Sequence, residues 1–232
     1  PTGCGKSLMA ANICARWREL HGGRIMAMAH LDALIGQNAG AIFRSTGLEC
    51  DIEKADAHAD RSQWFGKMPV VVTSVQTQIS GRNGSRRMHK FDPQEFGILW
   101  TDEAHMSVAK SYRSTYEHYQ GNQRLVHLGC TATPDRHDGK ALGQIYKSVA
   151  FEYYIRDAVR DGWLVPVRRT PVYLEGIDFS EIDVHRGDIT EEELERAMPL
   201  DKVVGPMAHE IFKIAAGRQT VIFAASIAHA ER

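Results

Sequence analysis

Apolar positions along the first 150 residues follow two periods in turn. Leu8, Ile13, Trp17 and Leu20 recur at near-helical spacing and Gly22-Gly23 closes the run, which predicts a helix over 8–20. Arg24–Ala29 reads as a short buried strand, and Leu31–Phe43 as a helix. Pro69–Ser74 (PVVVTS) is a β-branched run and Phe96–Thr101 (FGILWT) a continuous apolar one; both predict buried strands. Gly81–Lys90 reads as a basic loop. Arg124–Leu128 predicts a further short strand, with Gly129–Pro134 as the loop after it. Strands alternating with helices predict an α/β fold built on a mostly parallel sheet, with helices on both faces.

The texture changes after about residue 150. Thr170–Ile189 is extended and polar. Asp188–Arg196 carries an acidic helix start, where Thr190 followed by Glu193 fits a capping box. Val203–Ala216 predicts a helix stopped by Gly217, and Thr220–Ala225 (TVIFAA) predicts a new buried strand. The pattern divides the chain into a domain over 1–150, a connector over 151–200, and the start of a second domain over 201–232. No internal repeat is present in the 232 residues.

Composition narrows the class. The chain is 43% hydrophobic and 25% charged, which fits a globular protein and excludes disorder and low complexity. Lys and Arg total 28 against 29 Asp and Glu, a net charge of −1. That excludes a basic tail as the main source of nucleic-acid affinity and leaves room for a local basic groove. The longest weakly polar run, Thr220–Ala228, is far shorter than the roughly 20 apolar residues a membrane span needs, so no membrane partner is expected. No secretory signal is visible. Cys4, Cys14, Cys50 and Cys130 form no CxxC pair, which points to free thiols in a reduced, cytoplasmic setting.

Two segments carry chemistry. Pro1-Thr2-Gly3-Cys4-Gly5-Lys6-Ser7 fits the second half of a phosphate loop directly before a helix. Gly3 and Gly5 let backbone N–H groups point inward around a phosphate, and the helix adds its positive N-terminus. Lys6 supplies a charge to the β- and γ-phosphates, and the Ser7 hydroxyl is a Mg²⁺ ligand of the expected kind. The bland alternative is a glycine turn before a helix. The second segment, Ile98–His105, places Asp102 and Glu103 at the C-terminal end of a buried strand, the edge at which open α/β sheets bind ligands. Asp102 is placed to hold Mg²⁺, directly or through water, and Glu103 to orient and deprotonate an attacking water. Adjacent carboxylates there also serve to cap a following helix.

These segments, followed by Thr131-Ala132-Thr133-Pro134 after a strand, resemble the superfamily 2 helicases of the DEAD/DEAH-box kind. Asp102-Glu103-Ala104-His105 resembles motif II and Thr131-Ala132-Thr133 motif III. Val72–Thr77 is similar to the segment after motif Ib, Met28-Ala29-His30 stands where motif Ia belongs, and Thr220–Phe223 resembles motif IV. The Thr-Ala-Thr-Pro-x-Arg form and Asp161-Gly162-Trp163-Leu164-Val165-Pro166 resemble the phage, DNA-repair and restriction-motor branch. Arg136, the arginine of that form, receives no role.

The resemblance implies a RecA-like domain and the start of a second one, with ATP and Mg²⁺ as cofactors. It implies catalytic roles for Glu103 and Lys6, and coupling of nucleotide state to strand contacts through His105, Thr131 and Thr133. The alternatives are a hydrogen-bonded turn before Pro134 and a solvated first-turn histidine. His30, Ser74, Gln76 and Thr77 match the nucleic-acid track. His30 equally fits a buried strand-end histidine, because Leu31 and Ala33 replace the basic and acidic residues common after it in that branch. The basic run Arg82, Arg86, Arg87 and Lys90 reads as a solvated loop, with phosphate contact as the alternative, and the acidic stretch Glu191–Glu195 as a surface turned away from nucleic acid.

The resemblance further implies that the first strand precedes Pro1 and that motifs V and VI, with their arginine finger, follow Arg232. The 232-residue piece alone is then expected to bind ATP weakly and not to unwind. The expected activity is an ATP-dependent helicase or translocase, on DNA ahead of RNA. One alternative is a restriction-system motor translocating duplex DNA without unwinding; a distant one is a phosphate-loop phosphotransferase or nucleotide switch, which would not need Thr131-Ala132-Thr133.

Overall fold

A computed structural model of the chain describes residues 1–30, 32–59, 66–82, 85–134, 142–173, 189–190, 193, 197–198, 200–224 and 226–231. It divides into two compact units, Pro1–Val165 and Pro166–Arg232.

In the first unit, helix α1 (Lys6–His21) leads into β1 (Arg24–Ala29), then α2 (Asp32–Thr46), β2 (Cys50–Glu53), β3 (Val70–Ser74) and α3 (Val75–Ile79). A two-residue hairpin, β4 (Gly81–Arg82) and β5 (Ser85–Arg86), precedes β6 (Phe96–Asp102), α4 (Lys110–Tyr119), β7 (Val126–Cys130) and α5 (Ile155–Arg160). The main sheet has five strands in the order β2-β3-β1-β6-β7, with every neighbouring pair parallel.

Each central strand reads as an unbroken apolar run because both of its faces are covered. Ile25, Ala27 and Ala29 of β1 join Val70, Val72, Ile98 and Trp100 under α1 and α2. Met26 and Met28 face the other way, with Val71, Phe96, Leu99 and the tyrosines of α4. The register shift at Arg24/Ile25 puts Phe96 and Leu99, an odd number of residues apart, on the same face.

The predicted helices over 8–20 and 31–43 and the strands over 24–29, 69–74 and 96–101 all form, within a few residues. Four elements differ from expectation. Strand β7 lies two residues later than its apolar letters suggest and takes Gly129 and Cys130 into the sheet, paired with Thr101 and Asp102. Edge strand β2 carries only four residues, one of them a buried glutamate. Helix α4 buries Tyr112, Thr115, Tyr116 and Tyr119, a helical stripe written in polar letters. The described residues of the basic segment, 81–82 and 85–90, form a short antiparallel pairing followed by a 3₁₀ turn, Arg87–Lys90; Arg86 and Lys90 are exposed, as a solvated segment requires, and Arg87 is half-buried.

In that segment Arg87 and Lys90 reach back to Glu53. Arg87 Nε donates to Glu53 Oε1 at 2.7 Å, while Lys90 Nζ and the Ala59 amide each donate to Oε2 at 2.8 Å. A buried carboxylate requires such partners.

In the second unit, helix α6 (Leu200–Ala215) buries Val203 and ends before Gly217, which takes a φ of 78°. The expected capping box is formed: Thr190 N donates to Glu193 Oε2 at 3.0 Å and Glu193 N to Thr190 Oγ1 at 3.3 Å. The strand expected from Thr220 is absent from the described residues 220–224. Val221, Ile222 and Phe223 are 77%, 60% and 95% exposed. A strand requires a hydrogen-bonded neighbour, and among the described residues this unit offers none. Residues 174–188 and 191–192, which carry most of the polar stretch and part of the acidic one, lie outside the described residues, as do Leu31 and Arg136. No helix among the described residues is long and apolar enough to cross a membrane.

Candidate nucleotide-binding site

The parallel sheet brings its C-terminal ends to one edge. Ala29 pairs with Ser74, Met28 with Thr101 and Asp102 with Cys130. Ser74, His30, the Asp102-Glu103 pair and Thr131 therefore line up along that edge, although they are far apart in sequence.

Pro1–Gly5 forms the loop entering α1 beside it, and Lys6 and Ser7 open the helix. Gly5 is the helix N-cap, with φ 76° and ψ 22°, a left-handed conformation that glycine adopts without penalty. Gly3 is also left-handed, with φ 84°. No side chain caps α1, so its first N–H groups are left for an anion. Thr2, Gly3 and Gly5 are exposed, and Pro1, Cys4, Lys6 and Ser7 half-buried. Lys6 Nζ points across the edge to Glu103 Oε1, 3.8 Å away.

Glu103 adopts φ 50° and ψ 52°, a left-handed conformation rare for a side chain with a Cβ, and opens the 3₁₀ turn Ala104–Val108. Its amide donates to Asp102 Oδ1 at 3.1 Å, and its carbonyl accepts from Met106 N at 3.0 Å. The turn carries His105 back over the carboxylate: His105 Nδ1 is 3.2 Å from Glu103 Oε2, 3.0 Å from Thr131 Oγ1 and 3.4 Å from Thr133 Oγ1. Thr131 Oγ1 also accepts the Thr133 amide at 3.1 Å. Lys6, Glu103, His105, Thr131 and Thr133 are thus brought together, with Asp102 beside them.

Sequence reasoning missed two members. Asn38 of α2 is buried and donates from Nδ2 to Asp102 Oδ2 at 3.2 Å, which orients that carboxylate. An asparagine on the apolar face of α2 was its only signal. Tyr112 of α4 shares a hydrogen bond with His30 Nδ1 at 3.3 Å. Its phenol is pushed far up by burial, and further by Tyr146, Asp102 and Glu103. His30 is thereby a half-buried, partnered strand-end residue.

The other positions matched to a nucleic-acid track divide. Ser74 caps α3, accepting the Thr77 amide at 3.2 Å and sharing a hydrogen bond with Thr77 Oγ1 at 2.9 Å. Both residues are buried, at 0% and 7% exposure, so their hydroxyls shape the turn and present no surface. Gln76 is exposed. Ser74, Gln76 and Thr77 lie on the far side of β1 from the carboxylates. The four cysteines are free. Burial pushes the Cys14 thiol up to about 12, with the neighbouring Cys130 adding to the shift, and the Cys130 thiol up to about 11, with Asp102 adding to it. Both are packing groups at neutral pH.

A glycine-rich loop opening an uncapped helix, facing carboxylates at the end of a parallel strand, defines a phosphate-loop α/β domain of RecA-like fold. Comparison with known proteins agrees. The protein-family model described as type III restriction enzyme, res subunit, matches residues 1–136, and the chain belongs to that family. It is similar to the putative ATP-dependent helicase IRC3 of Saccharomyces cerevisiae, 33% identical over 137 residues, which is 58% of this chain and 17% of that protein. It is also similar to the putative mitochondrial ATP-dependent helicase irc3 of Schizosaccharomyces pombe, 32% identical over 103 residues, 43% of this chain and 16% of the relative. The chain thus matches less than a fifth of the length of these curated relatives. The Pyrococcus furiosus Hef helicase domain shares the fold, with a TM-score of 0.50 and 23% identity over 59% of this chain and 29% of that one.

Proposed function

We propose that this chain is the ATP-hydrolysing domain of a nucleic-acid-stimulated motor, a helicase or translocase acting on DNA. The observation that carries the reading is the continuous contact path from Lys6 through Glu103 and His105 to Thr131. It joins the group that would hold the terminal phosphates to the carboxylate that would activate water, and that carboxylate to the loop after β7. The helicase names of the relatives and the family match support the same reading.

In this reading Pro1–Gly5 surround the phosphates with backbone amides, and Lys6 neutralises the β- and γ-oxygens. Glu103 orients and deprotonates the attacking water. His105, Thr131 and Thr133 transmit the state of the site. The residues fit Mg²⁺ held by the Ser7 hydroxyl and Asp102, since that ion keeps several waters and takes few protein ligands. It would supply charge neutralisation at the phosphates. Asn38 keeps the Asp102 carboxylate in place for it. Among the nucleic-acid contacts, exposed Gln76 is the best-placed side chain, and the Ser74 and Thr77 turn presents it. Residues 1–150 form the first domain of the motor, 151–200 a connector and 201–232 the entry to a second. The four free cysteines support a reducing compartment.

ATPase activity of the full-length protein, measured at low salt with and without single-stranded DNA, tests the reading. Stimulation is expected, and its absence refutes a motor. Glu103→Gln is expected to retain ATP binding and to lose turnover by about 100-fold or more. Normal turnover removes Glu103 from the base role. A second reading, duplex translocation without strand separation, is favoured by the res-subunit family match. Parallel strand-displacement and translocation assays separate the two.

A further inference from the structure

Behind the Ala104–Val108 turn, a chain of polar groups crosses an otherwise apolar layer of the first unit. Tyr146 Oη and Ser107 Oγ share a hydrogen bond at 2.9 Å, Ser107 Oγ and Tyr116 Oη at 2.8 Å, and Tyr116 Oη and Thr101 Oγ1 at 3.1 Å. Thr101 Oγ1 meets His127 Nε2 at 3.1 Å, and Tyr146 Oη lies 3.4 Å from the same nitrogen. Thr101 and Ser107 are 0% exposed and Tyr116 is 3% exposed, so water does not substitute for these partners.

Burial pushes His127 down to about 4, so its ring is neutral at physiological pH. A neutral Nε2 either donates or accepts, and does not do both. Four hydroxyls and one such nitrogen therefore form one directed chain, Tyr146–Ser107–Tyr116–Thr101–His127. Each inner hydroxyl donates once and accepts once, and the tautomer of His127 sets the direction. Tyr146 to His127, at 3.4 Å, is the longest of the five contacts. Ser107 makes the shorter of the two contacts that tie the Tyr146 hydroxyl to the chain, 2.9 Å against 3.4 Å to His127.

These groups belong to elements that the candidate site uses. Thr101 immediately precedes Asp102. Ser107 sits in the turn that Glu103 opens and His105 occupies. His127 lies on β7, which leads into Thr131. Tyr146 belongs to the segment 142–147, whose 3₁₀ turn Leu142–Gln144 is not part of the sheet. Two further observations bear on Tyr146. A Cβ on Gly129 of β7 would lie 2.6 Å from Tyr146 Oη, so glycine at that position is what admits the phenol. A cavity of about 570 Å³ is lined by Tyr116, His127, Ile145, Tyr146 and Lys147 among others, so the segment borders open space on that side.

We propose that Tyr146 and Ser107 are positioning residues. Their hydroxyls lock the Glu103–His105 turn to segment 142–147, so that occupancy of the nucleotide site is read out as a change in that segment. The inference rests on the nucleotide-hydrolysing reading of the site. Tyr146 and Ser107 touch no nucleotide; they act through the turn.

The test uses the full-length protein with Tyr146→Phe, Ser107→Ala and Gly129→Ala. Tyr146→Phe keeps the ring and removes one proton from the chain. Gly129→Ala leaves the hydroxyl but displaces it. Binding of a fluorescent ATP analogue is titrated first. Amide hydrogen exchange across 142–148 is then followed with and without a non-hydrolysable ATP analogue, beside kcat, KM and Tm. In the wild type the exchange of 142–148 is expected to change on nucleotide binding. In all three variants that response is expected to be lost and kcat to fall roughly three- to tenfold, the size of one hydrogen bond, with KM within about twofold. Gly129→Ala is expected to have no added effect in a Tyr146→Ala background, where the clash is gone. A lowered Tm with unchanged kcat and an intact exchange response would show a purely structural role and overturn the inference. Nucleotide binding with a silent 142–148 segment in the wild type overturns it too, while leaving the reading of the site standing. Absence of nucleotide binding overturns both.

Discussion

Replacing Glu53 tests whether the basic segment over 81–90 is part of the fold. The Glu53 carboxylate has no exposed surface and holds two cations: Oε1 accepts from Arg87 Nε at 2.7 Å, and Oε2 from Lys90 Nζ and the Ala59 amide at 2.8 Å. Removing one partner of a fully buried pair costs about 3–5 kcal/mol. The cost here is smaller, because the Arg87 and Lys90 side chains retain 18% and 35% exposure, and Arg87 keeps the Ala55 and Ala57 carbonyls as acceptors. Glu53→Ala is therefore expected to lose about 2–4 kcal/mol at pH 7, a fall in Tm on the order of 5–15 °C. Glu53→Gln turns an NH₂ group towards donors and is expected to lose nearly as much.

Acid titration supplies an independent check of the same pair. Burial alone would raise this carboxyl, but the Lys90 and Ala59 hydrogen bonds and the charges of Lys90 and Arg87 outweigh it and hold it below its ordinary value. A depressed folded value means that the stabilisation is complete above the unfolded carboxylate value, roughly 4.3, and disappears as pH falls through the lower folded value. Wild-type and Glu53→Ala stabilities from urea melts should then differ by the full amount at pH 7 and converge in acid. A variant within about 0.5 kcal/mol of the wild type at pH 7, the range of ordinary surface substitutions, would refute the reasoning.

Gln76→Ala is expected to weaken single-stranded DNA binding several-fold with no change in Tm, whereas Ser74→Ala should lower stability by about 1 kcal/mol through the lost cap of α3; fluorescence anisotropy beside thermal melts separates them, and equal effects on both measurements would contradict the division drawn between these residues. His127 is held at about 4 by burial against an unfolded value near 6.5, so the unfolded chain binds the extra proton first and stability should fall as pH drops from about 6.5 to 4. The expected slope is up to about 1.4 kcal/mol per pH unit, and His127→Gln should flatten it; an unchanged slope would assign it to other groups.

The parts legible in the sequence are those whose letters match their burial. Strands β1, β3 and β6 are covered on both faces and read as apolar runs, and the glycines of the phosphate loop mark a backbone that only they adopt freely. The missed parts are those in which polar letters are buried against distant partners. Glu53 ends β2 inside the protein, but the residues that satisfy it arrive 34 and 37 positions later. The buried face of α4 is tyrosine and threonine, and its tyrosine hydroxyls are matched by His30, Gln78, Thr101 and Ser107 on other elements. The opposite case is Val221–Phe223, apolar letters with the β pattern but with no strand beside them among the described residues. Propensity supplies the face of a strand; the sheet has to supply its hydrogen bonds.

Glu103 offers a sharper test of why the site has the geometry it has. With φ 50° it occupies the left-handed region, where a Cβ costs about 1–2 kcal/mol. Strain of this kind persists where surrounding bonds impose it, here the Asp102 carboxylate on the Glu103 amide and the Met106 amide on its carbonyl. The side chain returns little stability. It is a third exposed, and its contacts, with Lys6 at 3.8 Å and His105 at 3.2 Å, are of the partly solvated kind worth a few tenths of a kcal/mol each. Ordinarily alanine is more stabilising than glycine, by about 0.5–1 kcal/mol in regular structure. At position 103 the order should invert, with Glu103→Gly more stable than Glu103→Ala by about 1 kcal/mol and at least as stable as the wild type, while both lose turnover. If alanine proves the more stable of the two, the strain is absent and the conformation of Glu103 has another cause. If the order inverts, the protein keeps a less stable residue at 103 for the direction in which it points a carboxylate, towards Lys6 and His105.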